Sequence, residues 1–341
     1  MYHTDAPPNA NGEGGYDVVW ADVSDNRVYP ACVNHEGVLS CICPTVAANA
    51  LAIGGAADSL RSAFRIEFLR PGNAVRPGAM EFAARGCASV GDGGSACTSQ
   101  THTTLPTVDG LSGALTTVGL VRALPIPPIA ALTAGTAINS SAGRLVVPAG
   151  TPNTAVALQA GAINRNPAAD SLEGPALVKP ALLILSAAAN EQWFRTMFGQ
   201  DPATFQRQPA ARNVPCAGGC TSASLTNTVL GYPRNPIWVA GDLNLDTVGA
   251  LGTATDPVML IVAGQLTISA AAVITGFVHA DRIVWTAGAA GASVRGAMVA
   301  KTTFVANGLA TLTYDRPVLD IIRLRYGSFV RAPGSWNLIF R

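Results

Sequence analysis

A glycine-centred apolar pattern recurs along the C-terminal part of the chain, between residues 236 and 319. Each copy has an aliphatic residue on either side of a glycine, with one spacer between, and the copies centre on Gly241, Gly264, Gly276 and Gly296. The neighbouring residues alternate in polarity, as in 266–268, which is the period of a half-buried β-strand. A glycine within a strand weakens it unless another backbone comes close or the chain bends there. Stacked coils of a β-helix meet both conditions.

The intervals between these glycines are unequal. A 12-residue step nevertheless occurs twice, from Gly264 to Gly276 and from Gly296 to Gly308. This spacing predicts an irregular, parallel β-helix of a few coils, each of which buries its apolar face only by stacking on its neighbours. An antiparallel meander with glycine bulges is the alternative interpretation.

The first part of the chain has the period of an antiparallel sheet. Residues 28–33 and 37–41 flank the turn residues Asn34 to Gly37, which predicts a β-hairpin. Alternating apolar and polar residues predict further strands at 16–20, 64–68, 79–83 and 114–121. Together these segments predict a sheet with one covered face. The predicted fold class is therefore mainly β (α+β), with an antiparallel sheet domain followed by the β-helix.

Proline and glycine positions divide the chain into domains. Residues 1–15 are rich in Pro, Asn and Gly and are predicted to be a flexible lead-in. Three prolines within 123–128 cannot continue a sheet, because proline removes a ladder donor. We therefore predict a sheet domain at 16–125 and a β-helix domain at 126–341.

A helical insertion, at about 186–207, is expected within the β-helix domain. Residues 186–198 place Trp193, Phe194, Met197 and Phe198 on one helical stripe. Gly199 ends this helix. A second short helix is predicted to begin with Asp201 as its cap and Pro202 at its first position.

Composition excludes several classes of protein. The chain is 49% hydrophobic and 13% charged, which is far from a disordered composition. Its formal net charge is +1 and it has no basic run, so nucleic-acid binding is not expected. No apolar stretch reaches the roughly 18 residues that a transmembrane helix needs. The polar, proline-rich N-terminal residues do not resemble a secretory signal.

The seven cysteines favour disulfide bonds in an oxidising compartment. Cys87 and Cys97 flank a glycine-rich loop, and Cys216 and Cys220 close a tight one, so each pair suits a disulfide. Cys32 pairs with either Cys41 or Cys43, and the sequence leaves both pairings open. A zinc site built from Cys41, Cys43, Cys216 and Cys220 is the alternative. Neither spacing is typical of zinc knuckles, and no histidine lies beside either pair.

Few residues suggest catalysis or the binding of a metal or cofactor. The chain has no nucleophile elbow, phosphate loop, dinucleotide fingerprint or His-Glu-x-x-His motif, and we expect neither enzymatic activity nor a cofactor. The histidines are scattered and are expected to be surface or turn residues: His3, His35, His102 and His279. Two weak candidates exist, a calcium site and a polysaccharide-cleaving carboxylate row.

The calcium candidate is Asp242, Asn244 and Asp246, which alternate oxygen ligands but lack the turn glycine and the later glutamate of a calcium loop. A polar strand face is the simpler interpretation. The carboxylate row is Asp281, Asp315 and Asp320, and glycoside hydrolysis would need two of them at a defined separation.

Several segments resemble the C-terminal region of PilX-type minor pilins of bacterial type IV pili. They are the residues at 236–243, 294–299, 310–315 and 329–336. The earlier part of the chain fits the same family at Trp20, at the 41–44 Cys-Ile-Cys-Pro segment, at 64–68, and at the helix 192–199 followed by Cys216 and Cys220.

The resemblance implies a pilin-like antiparallel sheet domain and a non-enzymatic subunit that takes part in pilus assembly at the pilus tip. The implied partners are other minor pilins, the major pilin and the tip adhesin. Such proteins are anchored in the inner membrane of Gram-negative bacteria by an N-terminal apolar helix, and we expect this chain to be the ectodomain without that helix. The implied location is the extracellular pilus tip, reached through the periplasm. The alternatives are a free-standing β-helical adhesin or scaffold and a β-helix carbohydrate-active enzyme.

Overall fold

A computed structural model describes residues 31–35, 38–42, 61–69, 79–89, 110–152, 155–188, 191–214, 219–232 and 234–340. Contacts divide the chain into two compact units. The first comprises Met1–Leu120 and Phe329–Arg341, and the second comprises Val121–Ser328. The predicted lead-in at 1–15 and the predicted strand at 16–20 lie outside the described residues.

The first unit contains an antiparallel sheet. Its strands are β1 (Ala31–His35), β2 (Val38–Ile42), β3 (Arg61–Leu69), β4 (Ala79–Ser89) and β5 (Gly110–Arg122). Strands β1 and β2 pair antiparallel, as the predicted hairpin requires, and the sheet continues in the order β2, β1, β3, β4, β5. Alternating side chains therefore produced strands at the places that the sequence predicts.

The second unit contains a sheet of parallel strands. The N-terminal group is β6 (Ala130–Asn139), β7 (Arg144–Val147), β8 (Val156–Asn164), β9 (Ser171–Leu172) and β10 (Ala176–Val178). The C-terminal group is β11 (Arg212–Val214), β12 (Cys220–Thr221), β13 (Pro236–Val239), β14 (Leu243–Leu245), β15 (Gly249–Leu251), β16 (Val258–Ile268), β17 (Ala272–Trp285), β18 (Ser293–Ala300), β19 (Thr303–Ala306) and β20 (Leu309–Tyr314). Every described pairing within this sheet is parallel, so the predicted β-helix is confirmed and the antiparallel meander is wrong.

Two strands end the chain. They are β21 (Gly327–Arg331) and β22 (Asn337–Phe340). Strands β21 and β22 both pair with β5, and β22 does so antiparallel, which is why the last residues group with the first unit. The second unit therefore ends at Ser328, whereas the predicted domain is 126–341. The glycine pattern does not predict this boundary, because the pairing of β22 with β5 is a long-range contact.

The helices are α1 (Pro180–Ala187), α2 (Gln192–Phe198), α3 (Pro202–Arg207), α4 (Ser222–Gly231) and α5 (Arg316–Arg325). The stretch at 186–198 is not one helix, because Ala188 has an extended backbone. Gly199 ends α2 in the left-handed conformation. Asp201 caps α3 by accepting a hydrogen bond from the Thr204 backbone N–H at 2.8 Å, and this bond lowers the pKa of the Asp201 carboxyl.

The strands of the β-helix stack in register along what we term the first face. This face contains β11, β13, β18, β10 and the first halves of β16, β17, β6 and β8. Its inner row consists of buried aliphatic residues that are register partners from coil to coil: Ile237, Leu260, Val278, Met298, Leu132 and Leu158. Burial of this row stabilises each coil only through its neighbours.

The order of coils in space differs from their order in the chain. Strand β6 stacks on β18, and β8 and β10 stack beyond β6, although these three strands precede β11 to β20 in the chain. The chain therefore reaches one end of the stack at β10 and resumes at the opposite end with β11. Helices α2 and α3 lie on this connection and cover the first face.

At β13, at 258–262 of β16 and at 276–280 of β17, the first face is buried on both sides. All five residues of 258–262 are buried, although alternation predicted one exposed side. The outer row includes Trp238, Ile261 and His279, and it packs against the aromatic side chains of α2 and α3. Tertiary contact with the helices thus replaces the solvent that the strand period implies.

Candidate functional site

The repeat glycines occupy different structural positions. Gly276 and Gly296 are register partners in β17 and β18, with φ values of 150° and 133°. A Cβ on Gly276 would collide with the Val258 carbonyl oxygen, and one on Gly296 would collide with the Gly276 carbonyl oxygen. Only glycine accommodates this close approach of successive coils.

The other repeat glycines lie at bends. Gly264 interrupts the register of β16, where a Cβ would meet the Asp242 side chain. Gly308 lies between β19 and β20, where a Cβ would meet the backbone around Thr286. At Gly241, a Cβ would meet no atom within 4 Å. Close contact with a neighbouring coil therefore excludes a Cβ at some glycines of the repeat, whereas Gly241 has space for one.

The residues of the calcium candidate bind neighbouring coils. An Asp242 carboxylate oxygen accepts from the Gln265 backbone N–H at 2.7 Å, and the Asn244 side-chain oxygen accepts from the Ser269 hydroxyl at 2.7 Å. An Asp246 carboxylate oxygen accepts from the Ser222 backbone N–H at 3.3 Å. Within the described part of the chain, no three or more His, Cys, Asp or Glu side chains come together as a metal site.

The three carboxylates of the predicted row each pair with a cation. Lys301 Nζ lies 3.7 Å from an Asp281 carboxylate oxygen. Asp320 pairs with Arg316 at 3.0 Å and Arg323 at 3.2 Å, and its hydrogen bond raises the pKa of Arg316. The two ion pairs of Asp320 lie within α5, whereas the ion pair of Asp281 connects β17 to the following coil.

Asp315 is buried and has two partners. One carboxylate oxygen caps α5 by accepting from the Val318 backbone N–H at 3.2 Å, and the other accepts from Arg295 Nε of β18. Asp315 also forms a parallel bridge with Thr151. This carboxylate fixes the start of α5 against the stacked coils.

Replacement of Asp315 separates its two roles. We expect Asp315→Ala to lower the free energy of unfolding by about 2 kcal/mol, because both the helix cap and the charge-assisted hydrogen bond are lost. Asp315→Asn keeps a capping oxygen and should cost about 1 kcal/mol. Urea unfolding of both variants measures the difference. Equal losses would show that the cap contributes nothing.

The cysteines fall partly within the described residues. Cys32 and Cys41 are directly opposed in the β1–β2 register, and opposed antiparallel residues have Cα separations of about 4.5–5.5 Å, which a disulfide can bridge. Cys87 lies in β4, whereas Cys43, Cys97 and Cys216 lie outside the described residues. The pairings stay predictions.

Cys220, in β12, is buried and forms a disulfide bond. Its sulfur is therefore not the free thiolate that a zinc site needs.

His279 was expected at the surface, and this expectation is wrong. The residue is buried in the outer row of the first face, where its ring lies 5.6 Å from Phe194 and 5.4 Å from Phe198, centroid to centroid. Neither ring nitrogen has a hydrogen-bond partner among the described residues. Burial, and then the charge of Lys301, lower the pKa of His279 to about 3.

The aromatic cluster around His279 comes from separate parts of the chain. Phe198 lies 5.2 Å from Phe205 and 6.0 Å from Phe277, and Phe194 lies 6.0 Å from Trp238, centroid to centroid. The apolar stripe at 193–198 predicts a helix with an apolar face. It does not predict which strands that face covers.

Lys301 lies beside this cluster. Its Nζ is 3.8 Å from a Glu191 carboxylate oxygen, at the start of α2, as well as close to Asp281. The ion pairs link the first turn of the covering helices to the β-helix. Sequence reasoning missed them, because Lys301 and Glu191 are far apart in the chain.

None of the described helices is long and apolar enough to cross a membrane.

Comparisons with known proteins assign no family. No family model matches the chain, and no curated protein matches it. A search of solved structures finds the competence-associated pilin ComZ from Thermus thermophilus at 10% sequence identity and a TM-score of 0.20, over 86% of this chain and 87% of that chain. A similarity at this TM-score does not establish a shared fold. The resemblance to PilX-type minor pilins therefore stays a prediction.

Proposed function

We propose that the chain is a non-enzymatic, pilin-like subunit of a type IV pilus system. The observation that carries the proposal is the chain topology. The β-helix unit, Val121–Ser328, is one continuous insertion between β5 and the returning C-terminal residues of the antiparallel sheet unit. A sheet that carries such an insertion is suited to assembly through the sheet and presentation through the inserted coils.

The polar groups of the β-helix support a structural role. Asp281, Asp315 and Asp320 are each bound by a cation, and Asp315 also caps a helix. Asp242 and Asn244 hold neighbouring coils together through hydrogen bonds. Side chains that already stabilise the stack favour a rigid scaffold over a site that turns over substrate.

The finer assignment rests on the sequence resemblance. It makes the chain a minor pilin that joins other minor pilins and the major pilin, and that helps to hold the tip adhesin at the extracellular end of the pilus. The segments that carry the resemblance include β13 and β18 of the β-helix and the segment 329–336, which begins within β21. They thus come from both units.

The edge of the antiparallel sheet is the contact that we propose for assembly. Strand β22 follows the exposed Trp336, and its Leu338 is 62% exposed. A strand at a sheet edge offers unpaired backbone groups to a partner strand. An edge charge should block such pairing.

Direct binding tests the proposal. The purified chain is immobilised and titrated with each purified pilin and adhesin encoded beside its gene, and we expect a Kd in the micromolar range or tighter for at least one. Leu338→Lys should weaken this binding at least about tenfold. The matched control is Leu230→Lys, on α4 of the other unit, where the side chain is 75% exposed.

Three outcomes would count against the proposal or against the contact assigned to it. If no pilus component binds and deletion of the gene leaves pili unchanged in number, the chain is not a pilus subunit. If Leu230→Lys weakens binding and Leu338→Lys does not, assembly uses the end of the β-helix instead of the sheet edge. Adhesion without pilin binding would support the free-standing adhesin.

A further inference from the structure

The connection between the two ends of the coil stack covers the first face, and we name it the strap: residues 191–207, with α2 and α3. Its contact with the β-helix is aromatic, through Phe194, Phe198 and Phe205 on one side and Trp238 and Phe277 on the other. The strap therefore shields an apolar surface that the stacked coils would otherwise expose.

One titratable side chain lies beneath the strap. His279 projects from the first face toward α2, and it contacts the rings of Phe194 and Phe198 edge to face. The buried indole nitrogens of Trp193 in α2 and Trp238 in the outer row also lack hydrogen-bond partners among the described residues. Indole nitrogens are donors only, so they offer no acceptor to an imidazolium proton.

The charges packed around His279 oppose its protonation. Lys301, after β18, acts on the ring as a like charge. Glu191 of the strap and Asp281 of β17 lie 3.8 and 3.7 Å from the Lys301 ammonium and pair with it instead. The exposed Arg195 of α2 adds no negative charge. A buried imidazolium would thus have neither a hydrogen bond nor a counter-ion of its own.

We propose that the strap is an acid-sensitive cover, which leaves the first face of the β-helix when His279 takes up a proton. In neutral solution the neutral imidazole packs as an aromatic ring. In acid the proton binds favourably only after the strap moves and water reaches the ring. Release exposes Trp238, Ile261 and Phe277, which are buried when the strap is closed.

The sign of the pH dependence follows from the two states. The His279 pKa is about 3 with the strap closed and near its ordinary value of 6.5 with the strap open. The closed state therefore keeps its full stability above about pH 6.5 and loses it progressively as the pH falls toward 3. Between pH 7.5 and pH 5.0 the opening constant should rise about 30-fold.

Hydrogen exchange on the full chain measures strap opening at the two pH values, after correction for intrinsic exchange rates. We expect the 30-fold rise in the amides of α2 and α3, with a smaller change in β16 to β18. His279→Phe should abolish the rise, because phenylalanine packs among the same rings and does not titrate.

A matched control distinguishes the effect of the Lys301 ion pairs on strap opening from the effect of His279 protonation. Lys301→Gln removes the pairs to Glu191 and Asp281, so it should increase opening at both pH values and keep the rise between them. If wild-type opening is independent of pH, or if His279→Phe shows the same rise, the proposal is wrong.

A second measurement applies even if His279→Phe does not fold. NMR of the wild-type chain with labelled histidine follows the His279 ring directly. A ring that stays neutral in the folded protein down to pH 5 supports the proposal. A ring that titrates near pH 6.5 without any change in α2 would overturn it.

Discussion

Gly276→Ala is expected to lower the free energy of unfolding by about 3–5 kcal/mol, because the new Cβ meets the Val258 carbonyl oxygen and the backbone keeps a positive φ. Local movement relieves neither the collision nor the strain of the positive φ, since the atom that the Cβ meets belongs to the backbone of the adjoining coil. Gly296→Ala should have an effect of the same size, because its Cβ meets the Gly276 carbonyl oxygen.

Gly241→Ala is the matched control. Gly241 belongs to the same sequence repeat, but no atom lies within 4 Å of an added Cβ and its φ is not positive. We expect a change within about 0.5 kcal/mol. Urea unfolding followed by circular dichroism measures all three variants. Equal losses at Gly241 and Gly276 would contradict the close approach of coils as the reason for glycine.

Phe198→Ala is expected to lower the free energy of unfolding by about 3–5 kcal/mol, through loss of buried surface and the cavity that remains. Phe198 is 2% exposed and lies 4.1 Å from Phe194 and 5.2 Å from Phe205, centroid to centroid. It also contacts His279 and Phe277 of the β-helix. Its removal therefore weakens both the strap and the contact of the strap with the first face.

Arg195→Ala provides the comparison within the same helix. Arg195 is exposed, and its replacement should change stability by no more than about 0.5 kcal/mol. Guanidinium unfolding of both variants, with hydrogen exchange of 191–207, separates global from local loss. A Phe198→Ala protein that is as stable as the Arg195→Ala protein would show that the strap contributes little to the fold.

Local patterns in the sequence determined many of the elements. The apolar alternation located β1 to β5, and the repeated glycines indicated parallel stacking, because a backbone approach that excludes Cβ leaves a glycine at each contact. The sequence also predicts that Asp201 caps α3 and that Gly199 ends α2, because helix capping depends on residues three or four positions apart.

Only the tertiary structure decided the order in which the coils stack. The first coils of the chain lie beyond the last ones, with β6 on β18, and this order depends on contacts across more than half of the second unit. Burial of His279, the pairing of Asp315 with Arg295, and the return of β22 to β5 depend on the same long-range packing. A periodic sequence specifies which face of a strand is apolar. Which element covers that face is a property of the assembled fold.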